Sequence, residues 1–182
     1  EPRVRWLSAL IDGFDATMEC RFDEAEALIA TCHAIGDQIG ESEAFTTYAA
    51  QFFTLGSHRG RRGEMLARVP DELDTTESVE RTFAVAHAIA CIEVGQRDVA
   101  RVTLDEAIDR GLAAIPADFM WSSLTIGLSI LAVELGDRTA ADLLVDQLGP
   151  FADEVSFNGA MSQGPISVHV GRLATLLGRF DD

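Results

Sequence analysis

Lysine is absent from this 182-residue chain. All 14 basic residues are arginine, set against 30 acids for a formal charge of −16. A field of that sign repels phosphate backbones and anionic headgroups, which excludes direct nucleic-acid contact by this segment and a role at a membrane surface. Cysteine is scarce: Cys20, Cys32 and Cys91 are an odd, sparse set that makes no disulfide framework and fits a reducing, cytoplasmic setting. Long apolar runs are missing too. The longest stretch free of both charged residues and histidine, Phe119 to Val133, has 15 residues, short of the roughly 18–20 that a membrane helix needs, and it reads as a helix buried on most sides. The opening Glu-Pro-Arg does not read as a signal peptide, and none is expected. It contains no Gly-x-Ser-x-Gly elbow and no HExxH helix.

What the chain does contain is a repeat. An apolar helix, a glycine or its substitute, one or two polar residues, and then an alanine-led amphipathic helix recur in "CRFDEA" (20–25), "GRRGEM" (60–65), "GQRDVA" (95–100) and "GDRTAA" (136–141). "GRFDD" (178–182) begins a fifth copy. The turn residues at 20, 60, 95, 136 and 178, called anchors below, lie 40, 35, 41 and 42 residues apart. Five places after the first four stand Ala25, Met65, Ala100 and Ala141. A glycine can take the left-handed conformation that closes one helix and reverses the chain. The residue five places on then governs how closely the second helix approaches the first. Acids such as Asp23, Glu24 and Asp98 suit the positive end of the new helix. Ala25, Leu28, Ile29, Cys32 and Ile35 form an apolar stripe at helical spacing.

Prolines punctuate the array. Pro70, ten residues after the anchor at 60, predicts a second helix cut short there. The acidic stretch "DELDTTESVE" (71–80) then reads as a loop, with Ser78 as N-cap of the next helix. Pro116 and Pro150 mark breaks at or after second helices, and Pro165 fits the first turn of a helix following the loop "SFNGAMSQG" (156–164). The expected fold is therefore all-α: an α-solenoid of antiparallel helical hairpins with about four to five repeats. The hairpins fall near 3–39, 41–70, 78–115 and 118–156, with an incomplete one over 165–182, in a single domain over 1–182 that reads as a fragment of a longer array.

The five-residue interval from glycine to alanine within helical hairpins resembles tetratricopeptide repeats, whose usual period is 34. The longer period here, and the tail "HVGRLATLLGRFDD" (169–182), are similar to repeats in the C-terminal halves of large bacterial regulators. Those include LuxR-type transcription factors with an ATPase module, and adenylate or guanylate cyclases fused to the same module. The arginine-only, alanine- and glycine-rich composition agrees with a high-GC bacterial genome. The aromatic residues of the strict tetratricopeptide pattern are replaced four places before each anchor by Ala16, Gly56, Cys91 and Ala132, and HEAT-like hairpins are the alternative.

Candidate chemistry is sparse. His87 and Cys91, four apart on one predicted helix, can share a face, but two ligands do not make a metal site and core packing is the preferred reading. Cys32 and His33 are adjacent and diverge by about 100° on a helix. The basic turn "SHRGRRGE" (57–64) lacks the strand and the Lys-Ser or Lys-Thr of a phosphate loop. Its arginines are expected to face solvent or the acids at 71–80, with anion binding as a lesser possibility. Asp71, Glu72 and Asp74 lack the spacing of a calcium loop.

The resemblance puts the first helix of each hairpin on a concave face. Projected through the anchors, that face would present Thr47, Thr54, His58, Thr82, Glu93, Ser123 and Arg172 to a protein or peptide partner, or to a small effector. The expected function is a non-catalytic protein-interaction or effector-sensing module of a signalling or transcription regulator, needing no cofactor or metal, with a basic partner favoured by the charge. Two alternatives stand beside it. One is a structural spacer or dimerisation element that pairs two copies through exposed array ends. The other is a small all-helical enzyme or metal-binding bundle.

Overall fold

The computed structural model describes residues 1–67 and 76–180. It is mostly helical, with α1 (Pro2–Met18), α2 (Phe22–Ile39), α3 (Ala44–Arg59), α4 (Glu77–Glu93), α5 (Arg97–Arg110), α6 (Trp121–Leu135), α7 (Arg138–Leu148) and α8 (Ile166–Leu177). The chain divides into two compact units, Glu1–Val69 with Gly159–Met161, and Pro70–Asn158 with Ser162–Asp182. The division falls within the short interval between the anchors at 60 and 95.

All five anchors adopt the left-handed conformation. Gly60, Gly95, Gly136 and Gly178 have φ between 66° and 84°, and Cys20, at φ 60°, is the one non-glycine residue with positive φ among those described. At each, the amide one place after the anchor donates to the carbonyl four places before it. Arg21 reaches Ala16, Arg61 reaches Gly56, Gln96 reaches Cys91, Asp137 reaches Ala132 and Arg179 reaches Ala174, all at 2.8–2.9 Å. This is the six-residue closure of a Schellman motif. It also explains the missing aromatics. The position four before the anchor faces the incoming second helix, and Ala16, Cys91 and Ala132 are fully buried there beside Ala25, Ala100 and Ala141. Small residues on both sides let the two backbones meet closely.

In the first unit α1 packs against α2, and α2 against α3. One core cluster joins Trp6, Ala9 and Cys32, and a second joins Ala16, Ala25, Ile29 and Leu55. Gln51 of α3, fully buried, donates to the Leu10 carbonyl of α1 at 2.9 Å. After Gly60 the described residues form a short 3-10 segment, Arg62–Ala67. Gly63 sits within it, and glycine in a helix interior costs roughly 1 kcal/mol relative to alanine. Pro70, which was expected to stop this helix, lies outside the described residues, as do Asp71, Glu72 and Asp74.

In the second unit α6 is the centre. It packs against α4 and α5 on one side and α7 and α8 on the other. Every residue from Ser123 to Ser129 is buried, which accounts for the 15-residue uncharged run. The ties between successive hairpins repeat. Arg97, two after its anchor, donates to the Glu134 carbonyl at 2.5 Å. Arg138, two after the next anchor, donates to the carbonyls of Leu176 and Leu177. Both guanidinium groups thus cap the carbonyl end of the following hairpin's first helix, where cations are favoured.

Three local expectations need correction. Residues 156–164 are not simply a loop: β1 (Val155–Phe157) pairs antiparallel with β2 (Ser162–Pro165), Val155 opposite Pro165, with an irregularity after Ser156. Alternation of exposed and buried positions in "VSF" puts Ser156 inside, where its hydroxyl lies 3.0 Å from that of Ser122. Ser78 is not the N-cap of α4. That place is held by Thr76, while Ser78 is buried within the first turn and its carbonyl accepts from the Thr82 hydroxyl at 2.8 Å. Pro165 stands at the N-cap of α8, one place before the first turn.

Candidate functional site

Of the seven positions projected onto a concave face, three are not on the surface. Thr47, Thr54 and Ser123 are buried. Thr47, Gln51 and Thr54 recur at four- and three-residue spacing, so they share the core-facing side of α3 rather than an open face. Thr54 satisfies its hydroxyl on the Ala50 carbonyl at 3.0 Å. Ser123 is enclosed by the packing around α6. Thr82 is half-buried and its hydroxyl is bonded within α4, while Glu93 and Arg172 are exposed. His58 alone lies in a built environment: its ring stacks against Phe22, centroids 6.1 Å apart and planes 13° from parallel.

That contact is one end of an aromatic seam between α2 and α3. Helix α3 carries Phe45, Tyr48 and Phe52 at three- and four-residue spacing, hence on one side. His33 of α2 stacks on Tyr48 at 4.6 Å and meets Phe45 edge-on at 6.2 Å. Tyr48 in turn stacks on Phe52 at 5.7 Å. His33, Phe45 and Tyr48 are half-buried, so the rings rest on the core while part of each faces outward. His33 Nδ1 is enclosed with no hydrogen-bond partner. At the far end, the Arg59 guanidinium sits 5.8 Å from the Phe22 ring centroid and also pairs with Asp23 and, at 2.5 Å, with Glu26. The seam therefore already holds one arginine by ring and carboxylate together, a combination that recognises guanidinium groups.

In the basic turn at 57–64, Arg59 pairs with Asp23 and Glu26, and Arg61 with Glu64 at 2.6 Å, while Asp71, Glu72 and Asp74 of the expected acidic stretch lie outside the described residues. Two arginines so occupied leave the turn poorly suited to an anion.

Cys32 and Cys91 are packing residues, while Cys20, His58 and His87 are exposed. Cys91 is fully buried and its Sγ lies 3.6 Å from His87 Nδ1. Cys32 donates to the Trp6 carbonyl at 3.7 Å, and burial pushes its thiol up to about 11. Burial raises the Cys91 thiol as well. Neither is poised as a thiolate nucleophile. Among the described residues, no group of three or more His, Cys, Asp or Glu is placed to hold a metal ion. No helix among them is long and apolar enough to cross a membrane. Comparison with protein-family models, curated proteins and solved structures gave no match.

Proposed function

We propose that the chain is a non-catalytic interaction module, built of stacked tetratricopeptide-like helical hairpins, that takes a basic peptide segment along the α2–α3 seam. The observation that carries this reading is the half-exposed ring row His33, Phe45 and Tyr48, backed by buried Phe52, in a chain of net charge −16. Aromatic faces attract guanidinium and ammonium groups by about 0.5–2 kcal/mol each, and the surrounding acidic field raises the local concentration of a basic partner. Arg59 over Phe22 is the intramolecular precedent. On the family resemblance, the setting is a bacterial signalling or transcription regulator in which ATP hydrolysis, cyclase activity or DNA binding belongs to other parts of the full protein.

Calorimetric titration with an arginine-rich peptide, a lysine-rich peptide and an acidic control tests the reading. Binding of the basic peptides only is expected, weakening with salt as exposed charges are screened. Tyr48→Ala should lower affinity by roughly tenfold, the loss of one stacked cation contact. Equal binding of all three peptides, or a Tyr48→Ala variant indistinguishable from the parent, would overturn the seam as the docking site.

A further inference from the structure

Helix α1 is apolar on two opposite sides. Trp6, Ala9, Gly13, Ala16 and Thr17 face the core. Val4, Leu7, Ile11 and Met18 form a second stripe on the far side, 46–59% exposed. At 100° per residue the two stripes lie about half a turn apart. An ordinary surface helix carries one apolar stripe and a charged back. Beside the exposed stripe runs an open groove of about 630 Å³ between α1 and α2, lined by Ala9, Leu28, Ile35 and Ile39 at its apolar base and by Arg5 and Asp12 on its rim. A ridge and a groove therefore lie side by side on one face.

Charge selects the occupant. The chain as a whole repels its own copies, at −16. This face does not. Helix α1 carries Arg3 and Arg5 near its start and Asp12 and Asp15 in its second half, with no net charge, and the only charged groove residues are Arg5 and Asp12. Both run against the helix dipole, which favours acids at the start and bases at the end. Arg5 and Asp12 have no ion-pair partner among the described residues. An antiparallel second α1 supplies what is missing: its acidic half meets the basic half of the first, its dipole opposes the first, and the two-fold brings ridge to ridge and Arg5 of each copy to Asp12 of the other.

We infer that this face binds a second copy of the chain, α1 against antiparallel α1 about a two-fold axis, with Val4, Leu7 and Ile11 of each copy against those of the other and Arg5 of each beside Asp12 of the other. The contact is isologous, so it closes at two subunits. It leaves the α2–α3 seam open in both.

Sedimentation velocity from micromolar to submillimolar protein tests this. A species of twice 19.7 kDa is expected. Ile11→Glu, at an exposed position that leaves the core intact, should raise the dimer dissociation constant by about 100-fold or more, with an unchanged circular dichroism spectrum. Arg5→Glu should weaken association roughly tenfold, and adding Asp12→Arg should restore it. A monomer throughout that range, a dimer indifferent to Ile11→Glu, or a charge swap that fails to restore association would each overturn the inference.

Discussion

The same substitution at two helix-interior glycines of the second unit should have opposite effects. Gly127 lies in α6 and Gly171 in α8, and neither has positive φ. Alanine is favoured over glycine in a helix by about 0.8–1 kcal/mol, because glycine gives up more backbone freedom on folding. Gly171 is exposed, and a Cβ there meets nothing within 4 Å. Gly171→Ala should therefore raise unfolding stability by close to that amount. At Gly127 an added Cβ would lie 2.6 Å from Val85 Cγ1 of α4, with Ile89 Cδ1 at 3.8 Å behind it. Valine is confined to essentially one rotamer in a helix, so its methyl cannot swing aside; relief requires α4 and α6 to part. Overpacking of that kind costs typically 1–3 kcal/mol, which cancels or exceeds the propensity gain. The two variants should then differ by about 1–3 kcal/mol, Gly127→Ala being the less stable. Urea unfolding followed by tryptophan fluorescence reads the second unit directly through Trp121, provided Trp6 is replaced by phenylalanine in every chain compared. If Gly127→Ala proved as stabilising as Gly171→Ala, the close approach of α4 and α6 would be refuted, and with it the reason for a glycine at that place.

Two further outcomes follow. Cys20 pays the left-handed penalty that glycine avoids, about 1–2 kcal/mol for an L-residue. Part of this is offset by the greater freedom of glycine in the unfolded chain, so Cys20→Gly should stabilise the first unit by roughly 1 kcal/mol in thermal unfolding. His169 is buried, its Nε2–H donates to the Gln163 carbonyl at 3.2 Å, and its Nδ1 has no partner. Burial holds its protonation below the usual histidine range, and the charge of Arg172 adds to this. The unfolded chain thus takes up the proton first. This contribution to stability is present above the unfolded pKa of about 6.5 and is lost as pH falls below it, and a His169→Gln variant should show a flatter stability profile from pH 7 to 5.

How much of this was legible in the sequence depended on what kind of constraint a residue obeys. The anchors were legible because a positive φ leaves little choice but glycine, and even the exception, Cys20, stood at the right interval. The buried partners Ala25, Ala100 and Ala141 were legible for a related reason: close backbone approach admits only small side chains. The extent of α6 could be read from its uncharged length. The surface was a different matter. Thr47, Thr54 and Ser123 are polar, and their burial could not be inferred from type: the Thr54 hydroxyl bonds within its own helix, whereas that of Ser123 is enclosed without a hydrogen-bond partner. The β1–β2 pairing rests on three- and four-residue strands, too short for alternation to stand out from a loop. The aromatic seam was within reach: Phe45, Tyr48 and Phe52 show helical spacing on their own. What α3 alone did not show was the contribution of His33 and Phe22 from the preceding helix.

A third class of constraint falls between these two, and it bears on how the hairpins hold their order. Six places after the anchor at 95 stands Arg101, and one place after the next anchor stands Asp137; they pair at 2.5 Å. The same two places one hairpin later hold Asp142 and Arg179, again paired at 2.5 Å but with the signs exchanged. In the first unit the places fall to Glu26 and Arg61, and Arg61 is held protonated first by Glu64 and then by the charge of Glu26. Position recurs while residue type does not, because the contact requires only that the two charges be opposite. Each pair is partly exposed and contributes at most about 1 kcal/mol, so these pairs do not hold the fold together. Their effect is on register. A hairpin displaced along its neighbour by one helical turn would part these pairs, and the arginine caps at Glu134, Leu176 and Leu177 would lose their carbonyls at the same step. The small residues permit close stacking at several offsets; the pairs and caps together favour one.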